Sequence, residues 1–155
     1  MYFRYNLTEK VSDERGCLYY LPNEHSLCYV PWRKNSYTLL IGKSYCGLDL
    51  DADTGEIMQI SGCNPMRLWI ECNLEIPVAV MGRVFFQSDI PLIPGTGSDY
   101  DRSRNTFYDR KQQYICLGPQ PIISDCIHIQ FAPYLIASIR NDQIVSIWAK
   151  IKIKD

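Results

Sequence analysis

Three aspartates, Asp49, Asp51 and Asp53, recur at every second position. On an extended strand the side chains alternate between faces, so all three would project the same way. Carboxylates gathered on one face can hold a hard divalent cation such as Ca²⁺ or Mg²⁺ and could then support metal-assisted hydrolysis. The neighbouring residues argue the other way. A calcium-binding loop beginning at Asp49 needs glycine at 54 and glutamate at 60, where the chain has Thr54 and Ile60. Asp53-Thr54-Gly55 is instead good turn chemistry, with Gly55 able to take positive φ. The expectation is a solvent-facing strand whose aspartates cap a tight turn, with no metal and no cofactor. A metal-dependent hydrolase on this face is the alternative.

Other chemistry-bearing patterns are thinner. Asp51-Ala52-Asp53 lacks the apolar lead strand and the following Gly-Thr of a haloacid-dehalogenase-type nucleophile. Gly95-Thr96-Gly97-Ser98 could offer backbone N–H groups to a phosphate, but it carries no P-loop lysine and reads as a flexible loop. No Gly-x-Ser-x-Gly, His-Glu-x-x-His or Gly-x-Gly-x-x-Gly occurs. His128 could serve Cys116 or Cys126 as a base, yet it alternates onto the polar face of its strand and reads as a surface histidine. The cysteines at 17, 28, 46, 63, 72, 116 and 126 contain no Cys-x-x-Cys pair, so zinc is not expected and reduced thiols are. A disulfide such as 63–72 or 116–126 stays open at this point.

The segment from Ser98 to Lys111 is different in kind. It sets Asp99, Asp101 and Asp109 beside Arg102, Arg104, Arg110 and Lys111, with Tyr100, Phe107 and Tyr108 among them. Tyrosine and arginine are enriched at protein–protein hot spots. The two signs nearly cancel, whereas a nucleic-acid surface would be dominated by bases. The residues singled out for partner binding are Asp99, Tyr100, Asp101, Arg102, Arg104, Tyr108 and Arg110. Asp49, Asp51 and Asp53 form a second patch, whose acids could mimic phosphates.

These residues need a frame. The chain has 155 residues, 46% of them hydrophobic, and a net charge of −1. That suits one folded domain and excludes a disordered chain or a strongly basic surface. Eighteen isoleucines and eleven tyrosines against five alanines favour pleated strands over helices. Strands are expected at 2–7, 17–21, 25–31, 37–42, 47–52, 56–61, 67–74 and 77–87, with Val78, Val80 and Val84 inward. Polar residues 8–16 and a turn at 33–36 separate the first of these. Residues 88–111 read as a long loop. A meander of strands follows at 114–117, 127–131, 135–140 and 145–154, the last with Val145, Ile147, Ala149, Ile151 and Ile153 on one face and Ser146, Trp148 and the lysines on the other. One short helix fits near 63–72. The expected class is therefore mainly β, a β-rich α+β single domain of antiparallel hairpins and meanders spanning residues 1–155. No apolar run reaches the ~20 residues of a membrane span. The first residues show no signal-peptide pattern.

From Gly47 onward the order of segments resembles a family of small bacterial immunity-like proteins from toxin–immunity loci. The segments are Gly47 to Gly55 with Ser61-Gly62-Cys63-Asn64-Pro65, Tyr108-Asp109 with Ile115-Cys116-Leu117-Gly118, and Ile129-Gln130-Phe131-Ala132 leading to Ile144-Val145-Ser146-Ile147-Trp148. The resemblance implies a cytoplasmic, non-enzymatic β-rich protein that neutralises a cognate toxin domain by occluding it. Neither nucleic acid nor membrane is expected as a partner, and the oligomeric state stays open. Besides hydrolysis, a small-ligand-binding β protein is the remaining alternative.

Overall fold

Runs of isoleucine, leucine and tyrosine interrupted by turn residues resolve into fourteen strands among the described residues. The structure, a computed structural model, describes residues 1–10, 15–34, 36–120 and 124–154. Residues 11–14 of the expected polar link and Asn35 of the expected turn lie outside these. The strands are β1 (Tyr2–Leu7), β2 (Cys17–Leu21), β3 (Ser26–Val30), β4 (Ser36–Leu40), β5 (Cys46–Asp51), β6 (Ile57–Cys63) and β7 (Ile70–Glu71). They continue with β8 (Val80–Gln87), β9 (Gly97–Asp99), β10 (Asn105–Asp109), β11 (Tyr114–Gly118), β12 (Ile127–Ala132), β13 (Leu135–Arg140) and β14 (Gln143–Ile153). Two single-turn 3-10 helices, Pro22–Glu24 and Met66–Leu68, are the only helical elements described.

Eleven strands form one curled sheet, a half-barrel, in the order β1-β8-β12-β13-β14-β2-β3-β6-β5-β4-β9. β11 pairs with β14, β10 with β11, and β7 with β10. The sheet is mixed, which corrects the antiparallel expectation. β8 and β12, β14 and β2, β4 and β9, and β7 and β10 all run parallel. Tight turns dictate antiparallel neighbours only for strands adjacent in sequence. The parallel pairs join strands far apart in the chain, where no turn sets the direction.

The concave side is filled by Phe3, Leu48, Leu50, Ile60, Val84, Ile115, Phe131, Ile147 and Ile151, among others, none more than 4% exposed. The curl also brings the β5–β6 turn onto β8. Glu56 bridges Phe85, and Phe86 N donates to Gly55 O at 2.8 Å.

Three expectations change with the covering of the outer face. The chain between β7 and β8 runs as an extended strap over β11, β13 and β14. Its Leu74 joins Cys116, Ile136 and Trp148 in a second buried cluster, with Ile76 and Ala79 packed against it. Trp148 is therefore fully buried, and Ser146 is fully buried as well, although the alternation put both on a solvated lysine face. On that same stretch Val78 is 95% exposed and Val80 points partly to solvent, so only Val84 of the three valines is inward. Residues 67–74, expected as one strand, divide into the helical turn at Met66–Leu68 and the short β7.

Candidate functional site

Residues 88–111 are not one long loop: they contain β9 and β10. Gly97–Asp99 pairs with Thr38–Leu40, so Gly95-Thr96-Gly97-Ser98 leads into a strand and does not form a flexible phosphate loop. β10 pairs with β11 from Asn105↔Gly118 to Asp109↔Tyr114.

The turn between these two strands acts as a clasp. Tyr100 N and Asp101 N both donate to Leu40 O, at 2.9 and 3.2 Å. Tyr100 Oη donates to Gln143 Oε1 at 2.6 Å and accepts from Ile144 N at 3.2 Å. Its ring meets Phe3 edge-on, with centroids 5.4 Å apart. Burial raises the Tyr100 phenol above its ordinary pKa. Arg104 is 6% exposed and donates to Val145 O at 2.9 Å, to Ile144 O, and from Nε to Asp101 Oδ2 at 3.2 Å. Asp101 also accepts from the Ser103 hydroxyl at 2.6 Å, which holds its carboxyl below the usual range. Tyr108 is 2% exposed, packed edge-on against Trp69, which in turn lies against Tyr20.

The seven residues predicted for partner binding thus separate. Arg104 and Tyr108 are interior, a correction to their expected exposure, and Tyr100 and Asp101 join Arg104 in the clasp. A guanidinium inside is tolerable because backbone carbonyls and a carboxylate satisfy it. Asp99 and Arg110 remain outside, and Arg102 is half-buried. Asp99 Oδ1 lies 3.9 Å from Arg102 Nη1, with the Asp99 side chain 66% exposed. Arg102 donates to Ser44 O at 3.3 Å and sits 4.7 Å from the centroid of the Tyr45 ring. Tyr45, 69% exposed, escaped the sequence reading. Its signal was an aromatic residue stranded in the polar turn Gly42-Lys43-Ser44-Tyr45. Arg110 lies elsewhere along the chain, at the end of β10. It pairs with Glu71 of β7 and covers the Tyr108 ring at 5.8 Å.

The aspartate row also divides. Asp49 is 2% exposed, which corrects the solvent-facing expectation and removes it from the second patch. The link from β3 to β4 must cross β6 and β5 to reach its place in the sheet, and Arg33 N donates to Gln59 Oε1 on the way. Beneath it, Asp49 accepts from Thr38 Oγ1 at 2.8 Å, Gln59 Nε2 at 2.9 Å and Ser61 Oγ at 2.6 Å. Asp51 caps the hairpin turn as expected, accepting from Asp53 N at 2.8 Å and Thr54 N at 3.1 Å. Among the described residues no group of three acidic, cysteine or histidine side chains is arranged to hold a metal.

All seven cysteines are free. Burial pushes the Cys46 and Cys116 thiols up to about 12, the opposite of an activated nucleophile. His128 Nδ1 lies 2.7 Å from Ser138 Oγ, which also accepts from Trp148 Nε1 at 2.9 Å.

Among known proteins, no family model, curated protein or solved structure matches this chain. Among the described residues no helix is long and apolar enough to cross a membrane.

Proposed function

We propose that this protein is a non-enzymatic binding module that occludes a protein partner, with Tyr45, Arg102 and Asp99 at the centre of the contact. The observation that carries this reading is an exposed tyrosine and an exposed aspartate on either side of a half-buried arginine. Tyr100, Asp101 and Arg104 lock the turn that carries Asp99 and Arg102 to β4 and β14, so these two groups meet a partner with little conformational entropy left to lose. Preorganised Tyr and Arg side chains dominate interface energetics. Asp99 adds a charge that sets register and on-rate. A contact of about 800 Å² on each partner suffices for stable occlusion.

The resemblance of the segment order to immunity-like proteins extends this reading to a toxin domain as the partner, met in the cytoplasm. The test is co-purification with the product of the neighbouring gene, followed by titration. A micromolar or tighter complex is expected. Tyr45→Ala and Arg102→Ala should each weaken it by about thirtyfold, the ~2 kcal/mol of a hot spot, with the melting temperature unchanged. No complex at micromolar concentration, or full affinity in both variants, rejects the proposal.

A further inference from the structure

Beyond Trp148, β14 leaves the strap and its outer face opens to solvent. Here it pairs in parallel with β2, Ile151 opposite Leu18 and Lys152 opposite Tyr19. Lys150 and Lys152 project outward and, with Arg15, Cys17 and Tyr134, line a concavity of about 460 Å³. No acidic residue is among the described residues lining it, and neither lysine has a carboxylate partner among them. In a chain whose net charge is −1, two lysines side by side on one hollow are a local concentration of positive charge.

Tyr134 supplies a second, independent observation. Pro133 and Tyr134 are the two residues between the paired Ala132 and Leu135 at the β12–β13 turn. Tyr134 has φ 58°, a left-handed conformation that suits glycine or asparagine after a turn proline. A bulky residue held there is strained. Its ring is 55% exposed at the rim of the hollow, with the Lys150 ammonium 5.4 Å from the centroid, and its carbonyl accepts from Lys150 N at 3.1 Å. The fold would be better served by glycine at 134. The side chain is what tyrosine adds.

We propose that this hollow binds a nucleoside phosphate. Lys150 and Lys152 leave the strand about 6.6 Å apart, two residues at ~3.3 Å each, and their flexible stems can converge on a phosphate from two sides. The planar base stacks on the face of Tyr134 opposite Lys150, as exposed tyrosines receive bases elsewhere. The volume lies within the ~300–1,000 Å³ of small-molecule sites and exceeds what a bare phosphate fills, which favours a phosphate carrying a ring.

The experiment titrates the full chain by calorimetry with ADP, pyrophosphate, adenosine and a short single-stranded RNA. ADP should saturate one site, with pyrophosphate and adenosine each weaker by about tenfold or more. Lys150→Gln combined with Lys152→Gln should abolish binding of ADP. Tyr134→Gly is the decisive variant: its melting temperature should hold or rise as the strained φ is relieved, while ADP affinity falls about tenfold or more. The proposal is overturned by no saturation at about 1 mM ADP, by pyrophosphate binding as tightly as ADP, or by unchanged affinity in Tyr134→Gly. RNA binding tighter than ADP and lost with the two lysines overturns it in favour of a nucleic-acid surface.

Discussion

Asp109 closes β10 and, at the same time, holds the strap that buries Trp148. It is 3% exposed, and its Oδ2 accepts from Leu74 N at 2.9 Å and Gln112 Nε2 at 2.7 Å. Oδ1 accepts from Gln112 N at 3.0 Å, and Gln112 Nε2 also donates to Leu74 O at 2.7 Å. The backbone N–H of Leu74 and the Gln112 donors lower this carboxyl from 3.8 to about 2. The folded pKa lies below the unfolded one. Its stabilisation is therefore complete above the unfolded value and disappears as pH falls through the folded one. Amide exchange at Leu74, corrected for intrinsic rate, should lose protection between about pH 4 and pH 2. Asp109→Asn should lower that protection at neutral pH and remove its acid dependence. At this scale the sequence reading was weakest. Asp49 and Asp51 are two residues apart on one strand, yet one is a buried acceptor of three hydrogen bonds and the other a turn cap. Alternation reports which face a residue takes and is silent on what later covers that face.

The β5–β6 hairpin shows the element scale at its most legible. Leu48 and Leu50 inward, Asp51 capping and Gly55 at φ 78° follow from the local pattern alone. Hidden from that pattern was the docking of the turn against β8. A Cβ on Gly55 would lie 2.5 Å from Phe86 O, whereas one on Gly95, at φ 82°, would meet nothing within 4 Å. Urea denaturation should separate the two costs. Gly95→Ala pays only for its backbone, about 1 kcal/mol, while Gly55→Ala loses that and the fit to β8, at least about 2 kcal/mol. Equal losses would show that the turn does not bear on β8. β9 and β10 were missed for a related reason. β9 is short and polar and is extended because β4, far back in the chain, offers it a ladder, and β10, besides its hairpin with β11, is held on its other edge by the distant β7. Local propensity carries no trace of such a partner.

For the whole molecule, the seven thiols report how the layers are built. Cys46 lies in the concave core and Cys116 under the strap, both fully buried and both with thiols pushed up to about 12. The other five are partly exposed. In the native state at about pH 8, a disulfide reagent should modify Cys46 and Cys116 last, at the rate of global unfolding, and mild denaturant should merge the two phases. Early modification of Cys116 alone would mean that the strap opens as a unit of its own.

Composition and two-residue alternation were enough to declare a β protein and to place most hairpin strands, because both express interactions between near neighbours in the chain. The mixed direction of the sheet, the burial of Trp148, Asp49 and Arg104, and the exposure of Tyr45 and Tyr134 beside their cations came only with the folded chain. Each depends on which distant segment lies across a strand, and that choice is made by packing the entire sheet at once.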